Sequence, residues 1–148
     1  MNYEQLEDEL SGLLQGNFFD CKPLPDTQSG MVPAVTKPVV YVMYDTSDFV
    51  DPENINLVIQ KEKLKIGFEI HSRTRRGEQG IFAIYRIITK TLLGYKRPGC
   101  DKLQLVTFTP LQGKGPNDWT YYLQFSTTAR IVEDFTEING PELKQVNF

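Results

Sequence analysis

The chain has 148 residues, 40% of them hydrophobic and 24% charged, the length and balance of one ordinary globular domain, which excludes a fibre, long disorder and a disulfide-dense miniprotein. Its formal net charge of −3 hides a strong polarity along the chain. Residues 61–102 hold eleven Lys or Arg against four Asp or Glu, net +7, and the remainder holds five against fifteen, net −10.

Leu6, Leu10, Leu13 and Leu14 fall on the stripe of a 3.6-residue period and predict a first helix. Glu4, Glu7, Asp8 and Glu9 complement its dipole, and Gly16-Asn17 stop it. Residues 18–37 contain Pro23, Pro25, Gly30 and Pro33, and read as a long functional loop or short irregular arm. The β-branched and aromatic run Val39 to Tyr44 predicts a central strand. A polar turn through Asp45, Ser47, Asp48 and Asp51 follows. The next strand starts near Leu57, and its Leu64, Ile66, Phe68 and Ile70 alternate with polar residues, so one face is buried and one wet.

A polar connection, 71–78, leads to a second helix. Its apolar stripe is Ile81, Ile84, Tyr85, Ile88 and Leu92, and Gly94 terminates it. Leu103 to Phe108 predicts a third strand, Gly113 to Pro116 a hairpin loop, and Trp119 to Val132 a long fourth strand that pairs with the third. On that fourth strand Trp119, Tyr121, Leu123, Phe125, Thr127, Ala129 and Ile131 share one face. The expected class is therefore α+β, in the order αββαββ. A four-stranded sheet, mostly antiparallel or mixed, carries both helices on one face. Residues 1–134 form this single domain and 135–148 an extended C-terminal tail. The sheet face opposite the helices is left polar, with aromatics in places, for water or a neighbouring subunit.

Few residues carry chemistry. Cys21 and Cys100 are too sparse for a metal knuckle or disulfide framework and read as reduced thiols of a cytosolic protein. The acidic N-terminus lacks the basic and apolar regions of a signal peptide. No apolar run approaches the roughly 20 residues of a membrane span. The single histidine, His71, has no metal-ligand spacing around it and is expected to be an exposed strand-end residue. Asp45, Asp48 and Asp51 lack the Gly and distal Glu of a calcium loop. Ser126, Thr127 and Thr128 lie mid-strand without a nucleophile elbow. No catalytic, cofactor or metal residues are expected, and the chain is not expected to be an enzyme.

The distinctive local feature is Arg73, Arg75 and Arg76, three of the six arginines within four positions. They read as a phosphate-contacting loop, as an inter-subunit anchor using bidentate pairs with carboxylates, or as a solvated loop.

The chain resembles the Mu-like phage tail terminator, or tail completion, proteins. The resemblance lies in ordered landmarks: NYEQLEDELSGLL, the strand VVYVMYD, the long strand KLKIGFEIHSR, the helix GIFAIYRIITKTLLGYKRPGCDKL, and the closing WTYYLQFSTTARIVE. It covers most of residues 1–135 and leaves out the 18–37 loop and the tail after Asp134. It implies a virion structural protein, assembled in the host cytoplasm, at the head-proximal end of the tail. Such proteins form a hexameric ring that caps the tail tube and, in contractile tails, the sheath, and that receives the head connector. The implied partners are further copies of the chain, the tube and sheath proteins and the connector proteins, with DNA only passing through the ring lumen. No cofactor is implied. Arg73, Arg75 and Arg76 are then candidates for a subunit or partner interface, and Phe148 for an apolar anchor on a tail that orders when a neighbour binds. The alternative is a head–tail joint adaptor that contacts DNA through the basic central segment.

Overall fold

A computed structural model describes residues 1–27, 37–52, 57–113 and 115–133. The order is α1 (Tyr3–Leu13), β1 (Asp20–Pro23), β2 (Val39–Phe49), β3 (Ile59–Ser72), α2 (Ile81–Leu92), β4 (Gln104–Leu111) and β5 (Trp119–Val132). Among the described residues the sheet has five strands, in the order β1-β2-β3-β5-β4. Only β1 pairs in parallel, with β2; the other pairings are antiparallel.

The expected α+β class and paired helices hold, and the four-stranded sheet is corrected to five. The additional strand, β1, lies inside the expected 18–37 loop. Four residues ending in proline carry no periodic signal, and the strand exists because Val39 to Val42 offer it a ladder partner. As an edge strand it tolerates Pro23. Residues 28–36 of that loop, and the expected tail 135–148 with Phe148, lie outside the described residues.

α1 begins at Asn2, whose side chain accepts a hydrogen bond from the Gln5 backbone N–H at 3.0 Å, satisfying one orphan donor of the first turn. Leu6, Leu10 and Leu14 are buried, whereas Leu13 is exposed, a correction to the expected stripe. β2 runs past the expected turn to Phe49, because a bulge at Asp45 absorbs the polar residues without ending the ladder.

Both helices cover the same sheet face. Their leucines and isoleucines join Val40, Val42, Leu64, Ile66, Phe68, Ile70, Leu123 and Phe125 in one buried cluster. α1 lies over β1 and β2, and α2 over β3 and β5. Among the described residues no helix lies on the opposite face. There Val39 and Tyr41 are buried with Leu24 packed against them, and Lys61, Lys63, Lys65, Gly67, Glu69 and His71 follow along β3, their positions set by its alternation with the core residues. β4 is the exposed edge: seven of its eight residues are exposed, and none is charged.

Candidate functional site

The arginine loop joins β3 to α2, and backbone bonds lock it onto the start of the helix. The N–H groups of Ile81 and Phe82 donate to the carbonyls of Thr74 and Arg75 at 3.0 and 3.1 Å. Ser72 Oγ donates to the Gln79 carbonyl at 2.9 Å. Gly80 is required by this close approach, since a Cβ there would lie 2.5 Å from the Arg76 carbonyl oxygen. Donors at the helix start that would otherwise hold an anion are thus taken by the loop's own carbonyls.

The three arginines do not form one cluster. The Arg75 guanidinium lies 5.2 Å from the Phe82 ring centroid and 5.4 Å from that of Trp119. Its Nε donates to the Tyr121 hydroxyl at 3.1 Å. Arg75 is therefore committed to the aromatics of α2 and β5, a cation–π arrangement that fixes the loop. Arg73 lines a cleft of about 370 Å³ with Lys37, Pro38, Ser72, Thr74, Gln79 and Asn117. Arg76 is exposed.

His71 is buried, against the expected exposed strand end. Its Nε2 lies 2.7 Å from Glu69 Oε1 and its Nδ1 3.2 Å from Thr120 Oγ1, with the Tyr41 ring packed edge-on at 5.6 Å. Thr120, His71 and Glu69 thus have the connectivity of a hydroxyl nucleophile, a base and an orienting carboxylate. Thr120 is only 5% exposed, and the neighbouring cleft is lined by none of the three. The arrangement ties β3 to β5.

Sequence reading missed a second buried polar centre. Glu62 is fully buried, and its Oε2 accepts from the Tyr3 hydroxyl at 2.5 Å and from Ser47 Oγ. The Tyr3 ring stacks on Tyr44 at 3.8 Å. The Tyr3–Glu62 hydrogen bond, followed by burial, pushes the Tyr3 phenol up to about 12. Alternation puts Glu62 in the inward row of Leu64, Ile66, Phe68 and Ile70; what is tertiary is the pair of hydroxyls, from Tyr3 and Ser47, that let a carboxylate stay there.

Both cysteines are buried free thiols, and burial pushes Cys21 up to about 12 and Cys100 upward. Among the described residues no group of His, Cys, Asp and Glu is placed to hold a metal ion. Among them, too, no helix is long and apolar enough to cross a membrane.

No curated protein matches the chain. The family described as Gp37 protein matches it over residues 19–148. That match takes in β1 and every later element, together with the 18–37 loop and the C-terminal tail that the landmark resemblance leaves out. The chain belongs to the Gp37 protein family, a family of phage proteins.

Proposed function

We propose that this phage protein is a structural assembly protein of the virion, acting as a tail terminator rather than as an enzyme. Copies of the chain form a ring, a hexamer in this reading, at the head-proximal end of the tail. The ring stops growth of the tube, and of a sheath where one exists, and presents a surface to the head connector.

The observation that carries the reading is β4. An exposed edge strand of eight residues without a single charge is a template for association that free-standing proteins guard against. Leu105, Val106 and Leu111 on it are 39–44% exposed. Arg73 and Arg76 at the mouth of the arginine loop are offered as contacts for a tail partner or neighbouring subunit, with Arg75 ordering the loop between them. Electron microscopy of the purified protein tests the ring, and phage lacking the protein tests the role. Rings in the first and overlong tubes or unjoined heads and tails in the second are the expected outcomes. Tails of normal length, joined to heads in the absence of the protein, would refute it.

A second reading is favoured by the sheet face opposite the helices, where Lys61 stands directly opposite Arg130, with Lys63 and Lys65 in the same row. A row of basic side chains on one face fits a joint adaptor that touches DNA. A steep fall of duplex affinity with salt marks such a binder.

A further inference from the structure

We propose that copies of this chain associate head to tail, the α2–β4 flank of one copy docking on the α1–β1 flank of the next. The proposal rests on the assembly reading and specifies which surfaces meet.

The sheet order places β1 and β4 on opposite edges. α1 covers the β1 side. α2 covers the other half, with Tyr85 stacked on Phe108 of β4 at 4.4 Å. The two flanks carry opposite charge. Residues 1–27, which build the α1–β1 flank, hold six acidic residues against Lys22 alone. Residues 81–111, which build the α2–β4 flank, hold five basic residues against Asp101 alone, one of the five, Arg97, being turned to Glu9 of α1.

The outward charges also match in spacing. Glu7, Glu9 and Asp20 are held by the Tyr44 N–H, by Tyr95 and Arg97, and by Lys37. Glu4 and Asp8 are exposed one turn apart on α1, and Arg86 and Lys90 are exposed one turn apart on α2. Residues four apart lie above one another on a helix surface, so one acidic row faces one basic row of equal rise.

Apolar area accompanies the charge. Gly94 N–H donates to the Leu103 carbonyl and Leu103 N–H to that of Tyr95, at 2.9 and 2.8 Å. These bonds bring Leu93, 54% exposed, alongside the start of β4, where Leu105 and Val106 are 39% and 44% exposed. Leu13 is the exposed leucine of α1. An apolar centre with charged surroundings is the ordinary anatomy of a protein interface.

Like flanks repel. Two α1 flanks would set Glu4 and Asp8 against their own copies, and two α2 flanks Arg86 and Lys90 against theirs. Only unlike flanks attract, so the contact is heterologous, the kind that closes a ring or extends a filament.

The test uses two full-length variants, Glu4→Lys with Asp8→Lys and Arg86→Glu with Lys90→Glu, compared with the parent chain by native mass spectrometry and light scattering at low and high salt. Circular dichroism reports folding. Glu4→Gln with Asp8→Asn and Arg86→Gln with Lys90→Gln replace any reversal that fails to fold. The parent is expected to form multimers that weaken with salt, and each reversed variant to remain monomeric. Their equimolar mixture is expected to regain multimers of alternating composition, because both junctions again pair unlike charges. A neutralised pair is expected to weaken association, and its mixture to regain only the junction that keeps both charged rows, giving dimers. Parent multimers with variants that associate equally well would overturn the assigned surfaces and leave the ring reading standing. A parent that stays monomeric at low as well as high salt would overturn both.

Discussion

Glu62 shows how a single inward carboxylate sets the behaviour of its neighbours. Its Oε2 takes the Tyr3 and Ser47 hydroxyls, and its Oε1 is buried with no hydrogen-bond partner among the described residues. Tyr3→Phe removes one of the two donors. A hydrogen bond to a charged group contributes about 1.5–3 kcal/mol, so a loss of that order is expected in urea unfolding at pH 7. The same pair gives a pH signature. A phenol whose folded pKa stands at about 12 against an ordinary 10 binds its proton more tightly when folded, so its contribution is complete below pH 10 and fades as pH rises to 12. The parent should therefore lose more stability across that window than Tyr3→Phe; equal losses would refute the coupling. Such residues were the least legible in the sequence. His71 occupies a strand-end place where a local pattern predicts exposure, and Glu62 an inward place where its charge argues against burial; both are buried because a distant strand or helix supplies polar partners: Thr120 for one, Tyr3 for the other.

At the level of elements, legibility tracked length and periodicity. The long strand Trp119 to Val132 and the helix from Ile81 to Leu92 were readable because each repeats its pattern over several turns or pleats. β1 was not, since its four residues owe their conformation to β2. The tail of β2 was hidden by a bulge that makes Asp45 look like a turn residue, although its side chain is engaged by Gln124 Nε2 at 3.0 Å. The sheet face opposite the helices contains one packing constraint that sequence alone also concealed. A Cβ on Gly67 of β3 would sit 2.4–2.7 Å from the end of the Tyr122 ring on β5, so the glycine is the seat of that tyrosine. Gly67→Ala forces the ring aside, and overpacking of this kind costs about 1–3 kcal/mol. If the ring is the cause, Tyr122→Ala should cancel most of the penalty in a double-mutant cycle read by urea unfolding. Additive effects would place the cost in the strand backbone instead.

For the whole molecule, the position of α1 poses the sharpest question, because the family match begins at residue 19, after the helix has ended. A detachable appendage would be the simplest account of such a boundary. The packing opposes it. Leu6, Leu10 and Leu14 are 0–1% exposed and join the same cluster as Val40, Val42, Phe68 and Phe125. Glu7 and Glu9 add bonds to the Tyr44 N–H and to Tyr95 and Arg97. Each fully buried leucine contributes about 1.5–3 kcal/mol, so three together approach the whole stability of an ordinary domain, about 5–15 kcal/mol. Removing residues 1–17 would also bare the core face of β1 and β2. The fragment 18–148 is therefore expected to lose its cooperative urea transition. It should regain one when a synthetic peptide of residues 1–17 is supplied in excess, because a segment that binds only the folded state stabilises it by mass action. A cooperative transition of the fragment alone, at a midpoint close to that of the full chain, would show that α1 is an addition to the core rather than part of it.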